Sequence, residues 1–471
     1  MIRVLSVASE CAPLVKTGGL ADVVGALPGA LQPCGVEMRT LLPGYPAVRG
    51  RVGERMVVWE DMDLFGGPAR LLAGRADGLD LLLLDAPHLF EREGSIYLGP
   101  DGRDWEDNPR RFAALSWVGA EIAAEGIGGW RPDVLHCHDW QAGFAPLYLR
   151  ERSPAAEARS ILTIHNVAFQ GFAPADQRTD LRLPPDAMHP EGYEFWGRIS
   201  ALKAGLIWAD RVTTVSPTYA AELMRAEFGM GLDGVLRSLP RGVAGILNGV
   251  DLGHWSPPYE RPEGKRACTE ALRHELGLPD APGPLCVVIS RLTVQKGLDL
   301  LLDVLPDLLE RGGQLALLGA GEPELETAFR EAADRWEGVA VRIGYDPGLA
   351  ERLYAGGEAI LVPSRFEPCG LTQLYGLRFG TIPVVALTGG LADTVIPATP
   401  AGLRAGVANG LQFHPVDADA FGRAMAWLVE LHRDRRTWRR MQRNAMRQPV
   451  GWDTSATEYA ALYRDVLAAE R

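Results

Sequence analysis

An arginine and a lysine, Arg291 and Lys296, share the glycine-ended loop Ser290-Arg-Leu-Thr-Val-Gln-Lys-Gly297. At that separation an arginine fork and a lysine point charge suit two oxygens of one diphosphate; the alternative is a pair of solvated surface cations. Further along, Pro363-Ser-Arg-Phe-Glu-Pro-Cys-Gly-Leu-Thr-Gln373 holds one carboxylate, Glu367, in a proline-bounded turn before a helical pattern. There the backbone N–H groups around Gly370 and Leu371, with the Thr372 hydroxyl, could face a phosphate. Glu367 could otherwise be only a charge partner of the helix start, worth up to about 1 kcal/mol. Cys369 has no histidine near it in sequence, and Pro-Cys-Gly matches no thiol motif with a mechanism behind it.

The hexapeptide Thr-Gly-Gly-Leu-Ala-Asp occurs twice, at 17–22 and 388–393, each time between a strand-like run and a helical pattern. Paired glycines at such a turn let a ligand approach the backbone, and first-turn N–H groups point at an anion. Gly18 and Gly19, with Lys16 beside them, therefore read as a phosphate cradle. A tight turn alone would leave the same trace; duplication in matching context favours phosphate. His136, His138 and Asp139 end another strand-like run, so both histidines project to one face. Without a second ligand pair to complete a zinc set they read as polar residues bonding loops or sugar hydroxyls, not metal ligands. His165 and Asn166 end the next run, which strand order sets beside Asp139.

The elements that must position these loops are short apolar runs alternating with longer helical patterns, the signature of parallel βαβ units. Strands are expected over 3–8, 37–42, 80–85, 134–138, 160–165 and 211–216, then over 285–290, 314–319, 339–344, 359–363 and 382–386, with a helix over 108–125. A chain of 471 residues exceeds what one core supports. Asn-Gly-Val-Asp-Leu-Gly-His-Trp-Ser-Pro-Pro-Tyr at 248–259 breaks both periods and marks the boundary. The expectation is an α/β protein of two doubly wound, Rossmann-like domains, 1–250 and 251–451, facing a cleft, with a last helix over 452–471 packing back on the first domain. A net charge of −12 argues against nucleic acid or an anionic membrane as partner. Six cysteines without a Cys-x-x-Cys pair, a first strand starting at residue 2 and no apolar run of spanning length point to a reduced, cytoplasmic protein.

Taken together, Lys16-Thr-Gly-Gly-Leu-Ala-Asp22, His136-x-His-Asp-Trp140, His165-Asn-x-Ala-x-Gln-Gly171, Asn248-Gly-Val-Asp251 and the two loops at 290–297 and 363–373 resemble bacterial glycogen synthases and the related plant starch synthases, in order and over nearly the whole chain. The resemblance implies a glycosyltransferase-B fold. It also implies transfer of glucose from ADP-glucose to the non-reducing 4-hydroxyl of an α-1,4-glucan (glycogen or maltooligosaccharides), with retention and without a cofactor. By the same resemblance Lys16, Gly18 and Gly19 bracket the donor phosphates and Arg291 and Lys296 stabilise the departing diphosphate. Cys369, Gly370, Leu371 and Thr372 lie at the distal phosphate, Glu367 meets the donor glucose, and His165 sits beside the anomeric carbon and the C6 hydroxyl. Asp22, Asp139, Asn166 and Asn248 surround sugar hydroxyls, Tyr97 contacts the acceptor and Tyr345 stacks on the base. Where many retaining relatives carry a second glutamate, this chain has Tyr375, as the glycogen and starch synthase branch does. Front-face attack through an ion pair and double displacement on a carboxylate both fit these residues. UDP-glucose as donor, a nucleotide-sugar epimerase of the same fold and a non-catalytic glucan-binding protein are the competing readings. A Rossmann dehydrogenase would need G-x-G-x-x-G after the first strand, which Lys16-Thr-Gly-Gly does not supply.

Overall fold

The structure, a computed structural model, describes residues 1–469 and divides into two compact units. One comprises Met1–Val215, Ala220–Ile246 and the segment from Trp452 onward; the other comprises Ser216–Tyr219 and Leu247–Gly451.

The first unit is built on a nine-stranded sheet. Seven strands are parallel, in the order Val243–Gly245, Arg211–Thr214, Arg159–Ile164, Val134–His138, Ile2–Val7, Val36–Pro43 and Leu79–Asp85. Leu81, Leu82, Leu83 and Leu84 are all buried, as a strand covered on both faces requires. Chain order reverses between Ile2–Val7 and Val134–His138, so the loops after these two strands flank a switch point, where open α/β sheets bind ligands. Helix Asn108–Glu125 starts with proline in its first turn and stops at Gly126, whose φ of +79° a side chain would resist. The helix Trp452–Ala468 lays Trp452, Tyr459 and Tyr463 into one apolar cluster with Val4, Val23, Leu27 and Val134.

Sequence reading missed the antiparallel strands Arg55–Asp61 and Ala69–Ala76, which extend this sheet. It also missed a small sheet of Phe172–Pro174, Glu194–Phe195 and Arg198–Ser200. Arg55–Asp61 is an edge strand with Met56 and Val57 exposed, so it lacks the alternation that marks a half-buried strand.

The second unit carries six parallel strands, Leu285–Ile289, Gln314–Gly319, Val339–Ile343, Ala359–Val362, Ile382–Ala386 and Leu411–Phe413. Numbered along the chain, their spatial order is 3-2-1-4-5-6, that of a dinucleotide-binding Rossmann sheet. Helix Leu298–Glu310 buries Leu298, Leu301, Leu305 and Leu308, one apolar stripe at helical spacing, and packs beside Ala418–Arg433. The switch point lies between the first and fourth strands. Their outgoing loops are the ones that carry Arg291 and Lys296, and Glu367.

Candidate active site

In the second unit the two loops meet. Lys296 Nζ lies 2.6 Å from Glu367 Oε2, with side-chain exposures of 18 % and 10 %. Ser364 Oγ donates to the same carboxylate oxygen at 2.9 Å. Arg365 braces the loop from behind: its two terminal nitrogens donate to Asp299 at 2.6 Å each, and its backbone N–H donates to Gln295 O at 2.9 Å. Gly297 has φ of +67°, and a Cβ there would fall 1.9 Å from Pro363 O. Only glycine lets the loops approach this closely. Arg291 is exposed, without a side-chain partner among the described residues.

The second copy of the hexapeptide supports this loop instead of forming a cradle. Gly390 N–H donates to Glu367 O and Pro368 O, each at 3.2 Å, and a Cβ on Gly389 or Gly390 would meet Glu367 O at 1.8 Å or Cys369 O at 2.2 Å. Asp393 at its end accepts from the backbone and hydroxyl of Thr218 at 2.8 and 2.6 Å. At this copy the glycines allow backbone packing, and the Gly390 N–H is engaged within the protein. Cys369 is buried, and that burial pushes its thiol up to about 12. Thr372 opens the helix Thr372–Arg378 and bonds Tyr354 through its side chain. Asn248 Oδ1 is buried with no partner among the described residues. Tyr345 follows the edge strand Val339–Ile343 and is 89 % exposed.

In the first unit Lys16 Nζ lies 2.7 Å from Asp22 Oδ1. Gly18 is extended and Gly19 begins helix Gly19–Leu31. Glu10, which sequence reading passed over, organises this loop. Its buried carboxylate accepts from the backbone N–H of Thr17, from the Thr17 hydroxyl at 2.7 Å, from Gly18 N–H at 3.2 Å and from the Tyr97 hydroxyl at 2.7 Å. The Gly18 N–H, assigned to a phosphate, thus faces an internal carboxylate, which also fixes Tyr97. No short-range pattern marks Glu10; Tyr97 is 87 residues away.

Beside it, Asp139 has φ of +54° and ψ of −166°, a region that is almost glycine-only and costs about 1–3 kcal/mol. Its Oδ1 holds that geometry by accepting the N–H of His165 at 2.6 Å and of Asn166 at 3.3 Å. Burial pushes the Asp139 carboxyl up to about 7 against the pull of these two bonds. His138 Nδ1 lies 3.0 Å from His165 Nε2, and His138 Nε2 lies 3.1 Å from Ser6 Oγ. His136 bonds elsewhere, to Tyr463 Oη at 2.9 Å and Thr163 Oγ1 at 2.7 Å. Burial lowers all three histidines, His136 and His165 to about 3, and keeps them neutral. The ring nitrogens of His136 and His138 are all engaged in hydrogen bonds, and no metal-holding group of three such side chains occurs among the described residues.

A family model described as the starch synthase catalytic domain matches residues 3–238, and one described as glycosyl transferases group 1 matches 270–446. A glycogen synthase of Paracoccus denitrificans is 63 % identical over 468 residues, covering 99 % of this chain and 100 % of that one. The chain belongs to the glycogen synthase family. A second relative, the glycogen synthase of Cereibacter sphaeroides, is 58 % identical over 474 residues, with 99 % of each chain covered. Among solved structures, the catalytic domain of starch synthase IV from Arabidopsis thaliana, bound to ADP and acarbose, superposes with a TM-score of 0.88 at 32 % identity, covering 99 % of this chain and 100 % of that one. Sucrose-phosphate synthase from Thermosynechococcus elongatus shares the fold alone, at 19 % identity and a TM-score of 0.62 over 100 % of both chains. As a member of the glycogen synthase family the protein is a glycosyltransferase of the glycosyltransferase-B fold. At the position where other branches carry a second glutamate, Tyr375 stacks on Trp255, ring centroids 4.0 Å apart.

Proposed function

We propose that the protein elongates glycogen, transferring glucose from ADP-glucose to the non-reducing 4-hydroxyl of an α-1,4-glucan with retention of configuration. The observation that carries this reading is the Lys296–Glu367 pair at the switch point of the second sheet, with Arg291 on the same loop as Lys296. As the glycosidic bond breaks, negative charge grows on the leaving diphosphate, and preorganised cations stabilise it without reorganising. Arg291 and Lys296 take that role, Glu367 meets the donor glucose, and His165 lies beside the anomeric carbon. Lys16, Gly18 and Gly19 are assigned to the donor phosphates, and Thr372 with the Cys369–Gly370–Leu371 backbone to the distal one. Asn248, with its free buried oxygen, suits a sugar hydroxyl, as do Asp22, Asp139 and Asn166. Tyr97 contacts the acceptor, and exposed Tyr345 is available to stack on a base. With no helix long and apolar enough to cross a membrane among the described residues, and six free cysteines, the cytoplasm is the proposed compartment.

The test is incorporation of labelled glucose into a glycogen primer, with ADP-glucose and UDP-glucose compared. ADP-glucose should give the higher kcat/KM, and Tyr345→Ala should lose most of that preference, since aromatic stacking on a base is worth about 1–3 kcal/mol in nucleic-acid systems. Equal or better use of UDP-glucose would overturn the donor assignment; no elongation with either would overturn the function.

A further inference from the structure

We propose that Ser6 and His138 set the tautomer of His165, so that His165 presents a protonated Nδ1, a hydrogen-bond donor, to a sugar oxygen. The inference rests on the reading above of His165 as a residue that meets the donor glucose. Ser6 lies in the strand Ile2–Val7 and His138 ends the neighbouring strand Val134–His138, with Ser6 paired to His136 in register. Ser6 and His138 are both 0 % exposed, and His165 is 8 % exposed.

Two neutral imidazoles joined nitrogen to nitrogen share one proton between them, so the chain Ser6–His138–His165 has two consistent arrangements. In the first, the Ser6 hydroxyl donates to His138 Nε2, His138 Nδ1–H donates to His165 Nε2, and the His165 proton must sit on Nδ1. In the second every bond runs the other way: His165 Nε2–H donates to His138, His138 Nε2–H donates to Ser6 Oγ, and His165 Nδ1 is bare. The Ser6 hydroxyl has no other partner among the described residues. The second arrangement therefore leaves its proton buried without an acceptor, whereas the first leaves free only the His165 Nδ1 proton, on the one residue of the three that has any exposure. His136 does not disturb this choice: its ring lies 4.3 Å from that of His138 between centroids, but its nitrogens bond Tyr463 and Thr163. The selected form of His165 can donate to an oxygen lone pair and cannot accept a proton at Nδ1. Ser6 and His138 are thus positioning residues, and His165 acts as a polarising donor, not a general base.

The experiment is long-range proton–nitrogen correlation NMR on protein labelled with 15N-histidine, with His165 assigned from the spectrum of His165→Gln. The wild type should show His165 protonated at Nδ1; protonation at Nε2 overturns the proposal, and this readout stands even if a Ser6 variant fails to fold. Ser6→Ala removes the bias, so it should show a mixture of tautomers and a kcat lower by about tenfold or more at unchanged KM for ADP-glucose. Ser6→Thr, which keeps the hydroxyl, should restore both. A tautomer mixture in Ser6→Ala with wild-type kcat overturns the donor role. If the wild-type tautomer is as stated but His165→Ala keeps full turnover, it is the placement of His165 at the sugar that fails, while the Ser6–His138 assignment stands.

Discussion

Lys296 and Arg291 sit on one loop with one assigned purpose, yet their surroundings differ, and so should their variants. Lys296 is the counter-charge of a largely buried Glu367, so Lys296→Ala leaves a carboxylate uncompensated. Removing one member of such a pair costs about 3 kcal/mol of stability, and removing one stabiliser of a developing charge costs roughly a hundredfold in kcat. Lys296→Ala should therefore lose both. Arg291→Ala, at an exposed and unpaired side chain, should melt like the wild type and lose turnover alone; thermal unfolding beside steady-state kinetics separates the two. If Arg291→Ala merely raises KM, that cation binds the donor without assisting bond cleavage. Cys369 gives the opposite expectation. With its thiol pushed up to about 12 by burial it carries no thiolate at neutral pH, so Cys369→Ser should be only mildly impaired and thiol alkylation of the native enzyme should leave activity intact.

At the level of elements, two identical hexapeptides do different work, and single alanine substitutions should show it. A Cβ at Gly18 meets nothing within 4 Å, whereas one at Gly390 falls 2.2 Å from Cys369 O. Gly18→Ala should fold normally and raise the KM for ADP-glucose, because its effect is on ligand approach. Gly390→Ala must displace the Glu367 loop and should lower kcat by at least about tenfold together with the melting temperature. Comparable stability of the two variants would sink the distinction. This contrast also shows what sequence could tell. The strands Val134–His138, Gln314–Gly319 and Ile382–Ala386 and the helix Asn108–Glu125 were legible to the residue, since apolar runs and a Pro-to-Gly frame are local signals. The loops carrying Arg291, Lys296 and Glu367 were legible because each follows such a strand. Glu10, the Arg365–Asp299 brace and the division of labour between the hexapeptides were not, since each depends on which distant backbone arrives opposite. The three-stranded sheet around Ile199 escaped because strands of two or three residues are too short for any period to register.

For the molecule as a whole, the buried histidines predict acid lability above the range where carboxylates titrate. Each is neutral when folded, His136 and His165 near 3 and His138 well below its ordinary value of 6.5. The unfolded chain binds their protons first as pH falls, so their contribution is fully present above 6.5 and is lost on the way down toward 3. Between pH 7.5 and 5 that amounts to about 2 kcal/mol for each of His136 and His165, with His138 acting in the same direction. Asp139 runs the other way: raised to about 7, it favours the folded state more as pH falls through that value, offsetting roughly one histidine's share. Urea unfolding at the two pH values should show a net loss of at least about 2 kcal/mol, and His136→Gln should recover part of it; equal stability at both would mean that these rings are not held neutral. One of them, His136, is bonded by Tyr463 from the helix Trp452–Ala468, which is made more than three hundred residues after it. During synthesis the apolar face formed by Val4, Val23, Leu27 and Val134 leaves the ribosome more than three hundred residues before the helix that covers it. The nascent first unit must wait, partly uncovered, while nearly all of the second unit is translated, so this protein should be a client of chaperones that shield hydrophobic surface on growing chains, and a translational stall just before Trp452 should be far more damaging than the few residues of the helix left unmade suggest.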